Sequence, residues 1–559
     1  MLTPFKETHM TAITQPEAAD TTPVWEPPAP GHWMAETSHH GLRPISHFLR
    51  DTYVHAFETG IAAMLERYGL PLTGISARLV NGCFYVRPTA IGEGSKPKPP
   101  PPAFIMKLLT RIHPELRRRN RTAADAWTER RWRIEVDRWF DHDRELVLAR
   151  NLELQNVDVS SLDDADLAEH LQVCLSNFED GMRRNLDTHG GDLIPVGDLV
   201  AHGQAWGLDP STTAELLVGA SPATVETVAL QRPVAEALSA AKRVPGSLDE
   251  VRALGPEVAE AVDSWLELHG WRLITSDDVD RPTLAELPTL QLRALLAAVT
   301  TTAQPVDPTS MRADVPEADR DLFDSLVEEA RYGHRQRDDI RGLCWNWPGG
   351  LTRRALLEAG RRLTATDRLH KPEHAAELTP TEIDALLLGQ PGPDANQAAA
   401  RAALRDQIEA APPPRTLGDP EIEPPLDAFP APMARATAAI MANLMADETA
   451  PQSEPLRGVG IGTAPYQGRA CVVADSHEAL ELLESGDVLV TRVTGPSFNS
   501  LIPIVGALVV EEGGPMCHAA IVARDFGIPA LISAAGATND IPHGATIEVD
   551  PQAGTIRLI

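Results

Sequence analysis

The 559 residues are too many for one hydrophobic core and predict two or three domains. Fifty basic against 79 acidic side chains leave a formal charge of −29, which argues against nucleic acid or an anionic membrane as the main partner. Cys83, Cys174, Cys344, Cys471 and Cys517 are scattered and form no closely spaced pair, so no metal site is expected and a reducing cytoplasm fits. No apolar run nears about 20 residues and no signal peptide opens the chain, so a soluble, cytoplasmic protein is expected.

In chain order, residues 1–25 predict a polar, loosely ordered tail. A motif-bearing stretch follows over 25–44, and 79–87 is strand-like with Asn81-Gly82 as its turn. Residues 96–102 form a Pro/Lys loop. From 111 to about 404 the pattern is mostly helical, clearest over 152–175, 284–299 and 351–363. The basic run Arg117, Arg118, Arg119 and Arg121 reads as a solvated helix face. Eight prolines between 412 and 432 predict an extended linker, and a helix over 434–446 leads to a second one. Short buried strands are expected at 488–490, 507–510, 530–532 and 547–549.

The densest chemistry lies near the end of the chain. Gly513-Gly514 permits a tight turn, and His518 stands where an Ala-rich helix should begin. Gly527 and Pro529 close that helix. Free N–H groups and the positive dipole end at a helix start suit a phosphate, so His518 looks built to carry a phosphoryl group.

These residues, with the Ala519-Ala520-Ile521-Val522-Ala523-Arg524 that follows, resemble the phosphohistidine swivelling domain of the phosphoenolpyruvate-utilising enzymes. Phosphoenolpyruvate synthase, pyruvate phosphate dikinase and rifampin phosphotransferase share it. Gly486-Asp487-Val488-Leu489-Val490 and Thr494-Gly495-Pro496 fit the same pattern. The resemblance implies that His518 is phosphorylated, with Gly513, Gly514, Cys517, Thr494 and Arg524 around the phosphate. Cys517 replaces the family's usual hydroxyl residue, and a thiol is a weaker donor.

The helical region is similar to the substrate domains of rifampin phosphotransferase-like and phenylphosphate synthase-like proteins. Trp33, His39, His40, Arg43 and Pro44 carry that likeness, as do two clusters: His269-Gly270-Trp271-Arg272 and Tyr332-Gly333-His334-Arg335. The implied roles are phosphoryl neutralisation by Arg272 or Arg335 and proton removal by His334 or His39, with Arg43 beside them. The alternative is that these side chains form buried ion pairs and aromatic packing between helices.

The expected fold class is therefore multidomain: a tail over 1–25, a mostly α-helical substrate-binding region over 26–410, a linker with a connecting helix over 411–457, and a compact α/β carrier over 458–559. No segment resembles the family's ATP-grasp module. ATP and magnesium are thus expected through a partner of the pyruvate phosphate dikinase N-terminal type, with no cofactor tightly bound here. The acceptor would be a hydroxyl of a small organic molecule. The competing expectation is a non-catalytic binding or regulatory module that keeps the carrier fold.

Overall fold

The computed structural model describes residues 23–36, 43–93, 101–208, 213, 215–297, 309–410, 413–445 and 456–559, except 242, 275–276, 423, 463, 475, 495–497, 499–500 and 515–516. Most of the expected amino-terminal tail therefore lies outside the described residues. Four strands open the fold: β1 (Trp33–Ala35), β2 (Leu72–Val80), β3 (Cys83–Ala90) and the distant β4 (Thr416–Leu417). They lie in the order β2-β3-β1-β4, antiparallel at each pairing. Asn81 (φ 51°) and Gly82 (φ 81°) join β2 to β3, the left-handed pair that an Asn-Gly hairpin turn demands.

β4 lies in the proline-rich segment expected as a linker. Its backbone is extended, but Thr416 and Leu417 pair with β1, and the Tyr85 hydroxyl donates to the Pro414 carbonyl at 2.6 Å. The prolines flank this short edge strand, where a missing N–H costs no ladder bond.

The helices that frame the molecule's centre are α1 (Arg50–Arg67), α2 (Asp164–Asp187), α3 (Gly190–Ala205), α4 (Pro222–Ala240), α5 (Pro256–His269), α6 (Pro288–Ala297) and α7 (Arg320–His334). The helical pattern over 152–175 does not form one helix: the chain breaks at 156–163. Asp163 restarts it by accepting the Asp166 N–H, so a capping carboxylate overrides the apolar periodicity. After α7 the chain continues helically over Arg337–Ile340, makes a π-helical turn over Arg341–Asn346, and ends in α8 (Trp347–Ala365). Tyr53 of α1 packs edge-on against Phe84 and Trp345, tying the first sheet to that turn.

The carboxy-terminal part is a mixed sheet of β5 (Val459–Ile461), β6 (Tyr466–Val473), β7 (Val488–Thr491), β8 (Ala507–Val510), β9 (Ala530–Ile532), β10 (Thr546–Asp550) and β11 (Thr555–Leu558). Their order is β11-β10-β6-β7-β8-β9-β5, with β6 to β9 parallel. Every residue of β7, β8 and β9 is buried, as continuous apolar runs in a parallel sheet require. α9 (Ala431–Met445) precedes this sheet, and α10 (His518–Phe526) crosses between β8 and β9.

The two parts share a core. Val234, Val262, Trp265 and Leu290 of α4, α5 and α6 join one apolar cluster with Leu489, Leu508, Ala519 and Ala523. Arg293 donates to the Leu483 carbonyl at 2.7 Å, and Arg415 beside β4 pairs with Glu512. Among the described residues, no helix is long and apolar enough to cross a membrane.

Candidate active site

His518 is the first residue of α10, and Cys517 is its N-cap. The turn before it depends on glycine. Gly513 sits at φ +111°, and a Cβ there would lie 2.8 Å from the Cβ and Sγ of Cys517. Gly514 is buried and accepts the Cys517 N–H at 2.9 Å. The Cys517 side chain makes no capping hydrogen bond. Gly527 ends the helix in the left-handed region at φ 66°, and the Ile528 N–H returns to the Ala523 carbonyl.

Thr494 Oγ1 lies 3.1 Å from Nδ1 of His518. An Nδ1–H donated to that oxygen leaves Nε2 as the unprotonated nitrogen. Burial first, then the charges of Arg337 and Arg341, push the His518 pKa down to about 3. The ring is therefore neutral at ordinary pH, and it keeps partial solvent exposure.

Both arginines belong to the helical part, four residues apart where the helix passes into its π-helical turn. Successive α-helical turns place such a pair on one face. Arg341 lies 3.8 Å from the Trp345 ring centre and pairs with Asp277. Arg337 lies 3.7 Å from Asp192. Nη1 of Arg337, Nε of Arg341 and Oδ1 of Asp277 are buried without hydrogen-bond partners. Orphaned polar atoms of this kind are costly in a protein interior unless a ligand meets them.

The other expected site residues are dispersed. His39 lies outside the described residues. Arg43 is committed to Asp280 at 2.8 Å and Glu409 at 2.7 Å. Arg272 donates to the Leu268 carbonyl and lies over Trp347, and burial lowers its pKa to about 10. Arg335 stacks on Phe140 and Tyr332. His334 is buried, with Nδ1 3.1 Å from Asp192. Arg524 is buried within the carboxy-terminal domain. The geometry brings Thr494, Cys517, Gly513 and Gly514 around His518, and the charges of Arg337 and Arg341, which the sequence reading missed, reach its ring. The available signal was the arginine pair at four-residue spacing, two residues beyond the cluster that drew attention.

Residues 483–554 match the family described as PEP-utilising enzyme, mobile domain. That match lies within the carboxy-terminal mixed sheet and spans α10. An uncharacterized protein of Mycobacterium tuberculosis (strain H37Rv) is 30% identical over 316 residues, which cover 56% of this chain and 33% of the relative. A rifampicin phosphotransferase of Streptomyces sviceus is 27% identical over 345 residues, 56% of this chain and 36% of that protein. A phosphoenolpyruvate synthase of Aeropyrum pernix is 39% identical over 111 residues, 20% of this chain and 14% of that protein. The chain thus spans about a third of the length of the longer-matching relatives. Among the described residues, no three His, Cys, Asp or Glu side chains gather as a metal site.

Proposed function

We propose that the chain is the carrier and acceptor component of a phosphotransferase, in which His518 moves a phosphoryl group to a hydroxyl of a small organic molecule. One observation carries this reading: a neutral His518, held at Nδ1 by Thr494, sits at a helix start opposite Arg337 and Arg341 of another domain. An imidazole so placed is a nucleophile, and two guanidiniums with buried unpaired N–H groups suit the oxygens of the group it carries.

In the charging step, Nε2 attacks the β-phosphorus of ATP and the bond from that phosphorus to the oxygen of AMP breaks; water then removes the terminal phosphoryl group as inorganic phosphate and leaves phosphohistidine. We assign ATP and its magnesium to an ATP-grasp partner, as the family resemblance implies, with AMP and inorganic phosphate as the other products. In the second step the acceptor oxygen attacks the same phosphorus and the P–N bond breaks, leaving Nε2 with its lone pair. Arg337 and Arg341 stabilise the charge on the transferring oxygens. Asp277, paired with Arg341 through Oδ2 and unpartnered at Oδ1, takes the hydroxyl proton. The mobile domain leaves the helical face to be recharged, and the segment around β4 keeps it at high local concentration. A cytoplasmic location accords with ATP as the donor.

The full chain incubated with labelled ATP and an ATP-grasp partner should acquire acid-labile, base-stable label that His518→Ala abolishes. No label on a folded chain, with a partner of proven activity, overturns the proposal.

A further inference from the structure

Behind Arg337 lies a buried group that the transfer chemistry does not use. Asp192, in the first turn of α3, is 6% exposed, and its two carboxylate oxygens face different cations. Oδ1 is 3.1 Å from Nδ1 of His334, while Oδ2 is 3.7 Å from Nε of Arg337. The backbone enforces this closeness. Gly333 meets Gly191, and a Cβ on Gly333 would strike the Gly191 carbonyl and the Pro195 ring. Arg337 therefore has one edge toward Asp192 and a buried, unpartnered Nη1 elsewhere on its guanidinium.

We propose that Asp192 is a positioning residue that holds Arg337 for the phosphoryl group of His518, and that His334 sets how strongly it holds. The proposal rests on the carrier reading of His518. A carboxylate shared by two cations divides its attraction between them. When His334 is protonated, the imidazolium neutralises Oδ1, and Arg337 keeps a loose contact that leaves it free to meet phosphate. When His334 is neutral, the whole charge of Asp192 acts on Arg337 and draws it back.

The other charged groups facing this pair are His189 before α3, Asp338 beside Arg337, and Glu135, whose carboxylate approaches Gly191. Burial alone would lower His334, but the hydrogen bond and charge of Asp192 raise it above its usual 6.5. The exchange between the two states thus falls above that value.

The full chain can be charged without a partner by potassium phosphoramidate, which passes its phosphoryl group to the imidazole as ammonia leaves. The phosphorus NMR shift of the product is then followed from about pH 6 to about pH 9, around the histidine range. The expected curve has two steps, one from the phosphohistidine itself and one from His334. Asp192→Asn, His334→Gln and Arg337→Ala should each remove the second step and leave the first. If Asp192→Asn does not fold, His334→Gln carries the test, because its amide keeps a donor in place of the ring. Identical curves in wild type and variants overturn the inference. Failure of His518 to accept phosphate in the wild type instead overturns the carrier reading.

Discussion

Thr494 Oγ1 stands 3.1 Å from Nδ1 of His518, where a hydroxyl that accepts the Nδ1–H leaves Nε2 as the nucleophile. The hydroxyl expected beside the phosphate lies next to the ring that would carry it. Removing it should leave the fold largely intact and let the ring populate the other tautomer. The loss of one such hydrogen bond, about 1 kcal/mol, corresponds to roughly a fivefold change. Thr494→Val should therefore slow charging of His518 about 5- to 30-fold, measured as initial rate of label uptake, with little change in thermal unfolding. Unchanged charging would remove the hydroxyl from the mechanism.

Acid should loosen the docked arrangement. Burial and the two facing arginines hold His518 at about 3, while a free imidazole titrates near 6.5. Between those values the unfolded or undocked ring binds a proton that the docked ring does not. The docked state therefore bears no penalty above about pH 6.5 and loses stability progressively as pH falls toward 3. Small-angle scattering across this range should show expansion in the wild type that His518→Asn, which cannot titrate, reduces. Equal expansion in both would assign acid sensitivity to other groups.

How much of this was legible in the sequence depended on the range of the interaction. The strands β7, β8 and β9 and the start of α10 were readable because buried apolar runs, the glycine pair and Gly527 act locally. The Asn81-Gly82 turn was readable for the same reason. Arg337 and Arg341 were not, since a guanidinium acquires its role from what docks against it. Their neighbour Arg335 had the more suggestive context, yet it stacks on Phe140 and Tyr332. Thr416 and Leu417 look like linker until their strand partner, nearly 400 residues away, is known. The break before Asp163 lay in plain view as a cap, but apolar periodicity masked it.

The turn that presents His518 should tolerate substitution asymmetrically. Gly513→Ala forces a side chain into φ +111° and against Cys517, at a cost of about 1–3 kcal/mol. Cys517→Ser should act oppositely. Its backbone (φ −65°, ψ 163°) already has N-cap geometry without a side-chain capping bond, and a hydroxyl that makes one should add about 1 kcal/mol. Calorimetric melting of both variants tests the pair; a Cys517→Ser variant less stable than wild type would show that the thiol packs better than a hydroxyl caps.

Arg341 should separate stability from chemistry. Its ion pair with Asp277 is nearly buried, at 13% and 2% side-chain exposure. Arg341→Ala leaves the Asp277 carboxylate uncompensated and should destabilise the helical region by about 3 kcal/mol. Adding Asp277→Asn removes that charge and should recover much of the loss, because a neutral amide needs no countercharge. Transfer should not recover. The double variant lacks both an oxygen-binding guanidinium and the proposed base, so discharge of phosphorylated His518 to an acceptor should remain down by at least about 100-fold. Charging by a partner should proceed, because that step occurs away from the helical face. Denaturant titration reads the first effect and loss of label from His518 the second. Restored transfer in the double variant would reduce the Arg341–Asp277 pair to a structural ion pair and leave the clamp to Arg337 alone.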